Sequence, residues 1–249
     1  MSLLTKIRTL RQLRPAPEPE QPDVARSVAI IMDGSGRWAK RRGLPVAAGH
    51  RMGTRALRRT VEAAIDLGVE SLAVYAFSTE NWTRPAEEVG ALMEIFGETI
   101  ERELPDLAKE GVRVRFLGRR DRAPVELRER MAALEEETAG NERLQLWIAF
   151  DYGGRAEIVE AARRLVESGV DPDEVDEELF AAHLYEPDMP DPDLLIRTSG
   201  ELRVSNFLLW QLAYAELVFI DTLWPDFGER QLREALVDYA KRHRRFGGR

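Results

Sequence analysis

An α/β fold, one domain with a mostly parallel sheet flanked by helices, is what this sequence predicts, and three observations predict it. Apolar, β-rich runs alternate along the chain with amphipathic helical patterns. The runs are apolar at nearly every position, the mark of strands buried on both faces rather than one. Gly68, Gly111 and Gly169 stand just past helical stretches, where a C-terminal cap favours glycine.

In chain order, residues 1–14 (MSLLTKIRTLRQLR) set Leu3, Leu4, Ile7, Leu10 and Leu13 at helical spacing against Lys6, Arg8, Arg11 and Arg14. Two readings stay open: a basic amphipathic helix making peripheral contact with an anionic membrane, or a terminal helix docked on its own domain. PAPEPEQPD (15–23) reads as an extended, Pro-rich linker. Residues 1–23 are thus set apart from a folded domain over 24–249. Strands are expected at 27–32, 71–77, 112–117, 144–150 and 194–197, with a short sixth run at 217–220. Helices are expected at 53–67, 87–109, 125–139, 156–167, 177–185, 207–215 and 229–244. There is no internal repeat.

Composition narrows the function. The 249 residues are 44% hydrophobic, enough for a sizeable core. The net charge of -8 argues against nucleic acid as a general partner, since phosphate-backbone binding rests on dominant positive charge. Without cysteine there is no disulfide, thiolate zinc site or thiol nucleophile. The longest apolar run, 207–220, is interrupted by Gln211 and Glu216 and is too short to cross a bilayer. No signal-peptide core follows Met1. A cytoplasmic protein, peripheral at a membrane if residues 1–14 bind one, is the expectation.

Ligands of parallel sheets bind beyond the carboxyl ends of the strands. Those ends here carry Asp33 to Arg37 (DGSGR), Ser78 to Trp82 (STENW), Asp151 to Arg155 (DYGGR) and Arg197 to Gly200 (RTSG). All four are polar and three are Gly-rich, which argues for a polyanionic ligand. Gly34 and Gly36 allow close backbone approach to an anion. Arg37, Arg84, Arg197 and Arg203 can take phosphate oxygens two at a time. One aspartate at the lip suits Mg²⁺, which takes one or two carboxylates and completes its shell with water and substrate phosphates. Strand-Asp-Gly-Ser also echoes the haloacid dehalogenase-type phosphatases, but their nucleophilic aspartate would fall at Ile31, so the covalent step has no nucleophile. Aromatic and aliphatic runs, 75–78 and 207–210, adjoin these polar ends and suit an amphipathic substrate with a charged head and an apolar tail. Glu216, a carboxylate in an apolar stretch, should be paired, protonated or metal-bound.

MDGSGRWA, the Gly49-His50 pair, YAFSTENWTRP, YGGR, IRTSGELRVSNFLLWQ and AYAEL…WPDF run in order from about Val28 to Gly248. Together they resemble the cis-prenyltransferases. The resemblance implies an enzyme that extends an allylic diphosphate, usually farnesyl, with isopentenyl diphosphate units through cis double bonds. It also implies Mg²⁺, a homodimer, six strands and a hydrophobic tunnel. By motif position, Asp33 is the catalytic aspartate that recruits Mg²⁺, with Glu216 completing the metal site. Gly34, Ser35, Gly36 and Arg37 cradle the allylic diphosphate, with Trp38 and His50 beside it. Ser78, Thr79, Glu80, Asn81, Trp82 and Arg84 form a mobile loop in which Asn81 is catalytic. Arg197, Arg203, Val204 and Ser205 hold isopentenyl diphosphate.

This chain departs from the family pattern at Ser35, usually Asn, and at Val46, usually Arg. Arg42 and Arg51 are the cations placed to compensate. Asp151 replaces a commonly amidic position and is expected to add negative charge at the strand ends. Ala76 stands where bulk would block the tunnel, which implies a product of about the undecaprenyl class. Two other readings are a single condensation on a shorter allylic diphosphate and a non-catalytic prenyltransferase-like subunit.

Overall fold

The computed structural model describes residues 24–242, so the expectations for 1–23 and for the last residues of the 229–244 helix lie outside the described residues. Six strands form one sheet: β1 (Ser27–Ile31), β2 (Ser71–Ser78), β3 (Val112–Leu117), β4 (Leu144–Tyr152), β5 (Leu194–Arg197) and β6 (Glu216–Phe219). Their order is β3-β4-β2-β1-β5-β6, and every pairing is parallel. The helices are α1 (Ser35–Arg41), α2 (Val46–Asp66), α3 (Ala86–Arg102), α4 (Leu104–Lys109), α5 (Val125–Glu137), α6 (Gly154–Glu167), α7 (Glu177–Ala181) and α8 (Glu229–Ala240).

Alternate residues of each strand face opposite sides; both sides are buried along β1, β5 and most of β2 and β4, while the edge strand β6 is only partly covered. Val28, Ile30, Leu72, Val74, Leu146, Ile148 and Ile196 join the larger core, with Ala56 and Val61 of α2, Leu92 of α3, Met131 of α5 and Leu232 of α8. Ala29, Ile31, Ala73, Trp147, Ala149 and Leu195 join a smaller core capped by Phe207 and Leu208. Two-sided burial is why the strands read as continuous apolar runs.

Four expected helices differ from those found, one only in length, since the 177–185 pattern is helical over Glu177–Ala181 alone. The 87–109 pattern is two helices, broken at Glu103, with Pro105 in the first turn of α4, where its missing N–H removes no bond. The 207–215 stretch is a series of turns rather than a helix; Ser205, Asn206 and Leu208 at its start have φ of 47°, 63° and 44°. That left-handed backbone cannot nucleate a right-handed helix. The helix expected from residue 53 begins at Val46, directly after Pro45.

The register sets the site. Ile31 lies opposite Tyr75 on β2 and Arg197 on β5, so Asp33 emerges beside Arg197. Register shifts between Tyr75 and Ser78 re-aim the end of β2 where it meets Tyr152.

Candidate functional site

Asp33 leaves β1 with its backbone clamped. The Thr198 hydroxyl accepts from Asp33 N at 2.8 Å and donates to Asp33 O at 2.7 Å, and Trp224 N donates to the same carbonyl at 2.9 Å. The carboxylate meets two guanidinium groups: Arg197 Nη2 donates to Oδ2 at 2.9 Å, and Arg37 Nη2 lies 3.4 Å from Oδ1. Burial works against ionisation, but hydrogen bonds from Arg197 and Ser199 and the charges of Arg197 and Arg37 outweigh it and hold the pKa below 3.8. Gly34 turns the chain at φ 107°, and a Cβ there would lie 2.8 Å from Leu223 Cδ2, so no other residue fits. Ser35 then opens α1 and is buried at the cavity edge. Arg37 donates to Ser199 O at 3.0 Å and to Ser199 Oγ, and reaches Glu201 at 3.6 Å.

Arg197 is buried at 4% exposure and divides its donors. Nη2 serves Asp33, while Nη1 serves Arg203 O at 2.5 Å and Ser205 Oγ at 2.6 Å. Its Nε is buried without a partner. The Ser205–Leu208 turn holds three non-glycine residues in left-handed conformation, each at a cost of roughly 1–3 kcal/mol. Strain of that kind persists only where surrounding bonds enforce it.

After β2, residues Thr79–Thr83 form a 3₁₀ turn. Asn81 Oδ1 accepts from Ser78 N at 3.1 Å, and the Ser78 side chain accepts from the Asn81 backbone. Since Ser78 N can only donate, the acceptor end of the Asn81 amide is fixed and its free end is the Nδ2 donor. Glu80 is exposed, and although some desolvation of its carboxyl works against ionisation, bonds from Asn206 and its own turn hold its pKa down. Arg84 pairs with Glu88 at 2.9 Å. His50 faces the same space, its pKa lowered first by burial and then by Arg84.

Many of these groups, though not Gly34, Gly36 or Arg37, line one end of a cavity of about 670 Å³, within the usual range for small-molecule sites. Asp33, His50, Asn81, Arg84, Arg197, Arg203 and Ser205 supply the polar lining. Leu57, Ala76, Leu92, Ile95, Phe96, Ile100, Phe116 and Ile148 supply the apolar remainder, between the sheet and α2 and α3. A charged head fits one part and a hydrocarbon the other.

Several expected site residues lie elsewhere. Glu216 opens β6 opposite Leu194, which pairs with Val28, five residues before Asp33. That is roughly 16 Å along the strand direction at 3.3 Å per residue, so within one chain Glu216 does not complete a metal site with Asp33. Its carboxylate pairs instead with Arg242 at 2.9 Å. Trp38 does not line the cavity: its Nε1 donates to Asp226 at 2.7 Å and Arg42 stacks on it at 4.1 Å, fastening α1 to the Trp224–Asp226 turn. Val204 packs on the smaller core. Trp82 packs edge-on against Phe77 and lies under Arg122 at 5.1 Å. Thr79 abuts Gly153, whose added Cβ would lie 2.6 Å from Thr79 Oγ1. Asp151 brings no free charge, because it is fully buried in a two-pronged pair with Arg122. Arg42 is committed to Trp38 and Asp226, and Arg51 to Glu98 at 3.4 Å, so neither replaces a cation at Val46.

The structure adds Thr198, Ser199, Glu201 and Asn206, which shape the site without having been singled out. Thr198 and Ser199 were legible in principle as the residues following a strand-end arginine. Nothing local in the sequence marks Asn206.

A profile of the undecaprenyl diphosphate synthase family matches residues 31–247. An isoprenyl transferase of Heliobacterium mobile is 53% identical over 229 residues, 90% of this chain and 88% of that protein. A ditrans,polycis-undecaprenyl-diphosphate synthase, (2E,6E)-farnesyl-diphosphate specific, of Xanthomonas oryzae pv. oryzae is 51% identical over 235 residues, 93% of this chain and 91% of that protein. Among solved structures, lavandulyl diphosphate synthase from Lavandula x intermedia in complex with dimethylallyl diphosphate superposes with a TM-score of 0.87 at 38% identity, covering 90% of this chain and 99% of that one. The Asp33 site and the cavity behind it therefore sit in a chain that belongs to the undecaprenyl diphosphate synthase family of prenyltransferases.

Proposed function

We propose that this chain condenses isopentenyl diphosphate onto an allylic diphosphate, farnesyl diphosphate first among them, to build a Z-polyprenyl diphosphate of about the undecaprenyl class. One observation carries the reading: Asp33, held ionised between Arg197 and Arg37, stands at the polar end of a largely apolar cavity. The names of the Xanthomonas and Heliobacterium relatives support it. Ala76 on the cavity wall leaves room for a growing chain.

In this reading the allylic C–O bond breaks and its electron pair leaves with the diphosphate. The π electrons of isopentenyl diphosphate form the new C–C bond, and a proton passes from the adjacent carbon to a phosphate oxygen. Arg37 binds the leaving group, while Arg197, Arg203 and Ser205 orient the incoming diphosphate. The apolar wall keeps water from the cation. Asn81 has its acceptor engaged by Ser78, so it serves as a donor that orients a phosphate oxygen rather than as the base.

Among the described residues no three His, Asp or Glu side chains gather as a metal cluster. Asp33 alone fits Mg²⁺ of the kind completed by substrate phosphates and water. Bound there, the ion would neutralise charge on the departing diphosphate. The homodimer belongs to the same proposal and rests on the family resemblance alone. Among the described residues no helix is long and apolar enough to cross a membrane; the peripheral contact proposed for residues 1–14 comes from their amphipathic sequence.

The test is incubation of purified protein with Mg²⁺, labelled isopentenyl diphosphate and, separately, dimethylallyl, geranyl or farnesyl diphosphate, with product lengths read out. Long products from farnesyl diphosphate are expected. A single short product would favour the one-condensation reading, which the likeness to lavandulyl diphosphate synthase keeps specific. No incorporation with any primer would favour the non-catalytic subunit.

A further inference from the structure

Asn206 joins three strand ends. Its backbone O accepts from Gly154 N at 2.7 Å, its Oδ1 accepts from Arg155 N at 2.9 Å, and its Nδ2 donates to Glu80 Oε1 at 2.9 Å. Gly154 and Arg155 open α6, whose preceding residue Gly153 has no side chain to cap it. The cap is supplied from the β5–β6 connection instead, 51 positions away. Glu80 belongs to the turn after β2 that carries Asn81. The neighbour of Asn206, Ser205, takes a hydrogen bond from Arg197, the same guanidinium that holds Asp33.

The surroundings are built for this contact. A Cβ on Gly153 would lie 2.8 Å from Asn206 Nδ2, so the glycine makes room for the amide. Asn206 itself has φ 63°, a left-handed conformation that asparagine tolerates better than most residues. Both ends of its side-chain amide face protein groups although the residue borders the cavity.

We propose that Asn206 is a positioning residue for the incoming diphosphate: it locks the Arg203–Ser205 segment, and through Ser205 the Arg197 guanidinium, in register with the Asn81 turn. The proposal rests on the prenyl-elongation reading for its substrate, and on geometry alone for the lock. Without the amide, the strained turn relaxes and Arg197 loses its fixed partner in Ser205. The allylic diphosphate, on the Asp33–Arg37 side, is affected less.

N206A removes both side-chain bonds. N206D keeps the acceptor for Arg155 N but sets a carboxylate against Glu80. Adding E80Q to N206D returns a donor to that contact with its direction reversed. Expected are a rise of about 10-fold or more in KM for isopentenyl diphosphate for N206A and N206D, the scale of one charge-assisted hydrogen bond. The allylic KM stays within about threefold, N206D keeps the parent's Tm, and N206D/E80Q recovers most of the loss relative to N206D. An unchanged isopentenyl diphosphate KM in N206D, or no recovery in the double variant at unchanged Tm, overturns the proposal. If the parent transfers no prenyl group, the elongation reading fails, and the lock is read by amide exchange at Arg155 and over 78–82. N206A should then speed exchange at both places, and unchanged exchange overturns the lock.

Discussion

Arg197 and Asp33, 164 positions apart in sequence, meet at 2.9 Å, and the same guanidinium holds Arg203 O and Ser205 Oγ with its other nitrogen. One buried cation therefore fixes the aspartate of one strand end and the loop of another. Lysine can offer its charge to Asp33 but not a second edge to the loop. Arg197→Lys should lower kcat/KM by ~10–100-fold, the worth of one to two charge-assisted bonds, with the larger part in KM for isopentenyl diphosphate. Asp33→Ala should cost at least ~10²-fold in kcat. Steady-state kinetics with each substrate varied in turn decides both, and near-normal turnover of the alanine variant would remove Asp33 from the chemistry.

His50 gives the fold a dependence on acid. Burial, then Arg84, holds its pKa below the ordinary 6.5, so on acidification the unfolded chain takes up the proton before the folded one. The contribution of the neutral ring is full above 6.5 and is lost as the pH falls from there towards the lower folded value. His50→Gln has no such proton to bind. The Tm of the parent should therefore fall more steeply than that of H50Q below about pH 6.5. Parallel Tm curves would contradict the burial of a neutral imidazole.

Asp151 and Arg122 form a pair in which only the arginine touches solvent. Removing the arginine leaves a buried, uncompensated carboxylate, at a cost of about 3–5 kcal/mol. Removing the charge from Asp151 leaves Arg122 able to reach water and its place over Trp82. Arg122→Ala should thus destabilise far more than Asp151→Asn in urea unfolding. Equal losses would mean that the pair is not buried as described.

Val46 stands at the start of α2, exposed, with Cγ1 3.9 Å from where a Gly36 Cβ would lie. Arg42 and Arg51 have other partners, so neither supplies the cation that the resemblance implies at this place. Val46→Arg should lower KM for the allylic diphosphate by ~10-fold and leave that for isopentenyl diphosphate unchanged. A gain in both, or in neither, would place the allylic head group elsewhere.

Most of the sheet was legible because its strands are buried on both faces, and uninterrupted runs such as Ser27–Ile31 have no other comfortable fate in water. The strand-end rule then delivered Asp33, Arg197 and the Asn81 turn to one place. Glu216, an acidic residue in an apolar run, needs a partner, and only tertiary contact shows that Arg242 supplies one within the chain. The 207–215 stretch has helical spacing, but Ser205, Asn206 and Leu208 are held left-handed by bonds to remote residues. Motif position sets Trp38 beside the allylic diphosphate, and only the position of Asp226 shows its role as a strut. Local pattern fixes the elements; what each side chain meets across the fold is set by register and crossover.

The sheet order also governs when the site can come into being. β1 lies between β2 and β5, and its second neighbour begins only at Leu194. The β1–β2 and β3–β4 pairings join segments closer in sequence, while the β1–β5 edge must close a far longer loop before any contact rewards it. A partly assembled chain can thus bury much of its core while Asp33 still lacks Arg197. During synthesis, the growing polypeptide carries its aspartate-glycine turn long before the strand that brings Arg197 has been made.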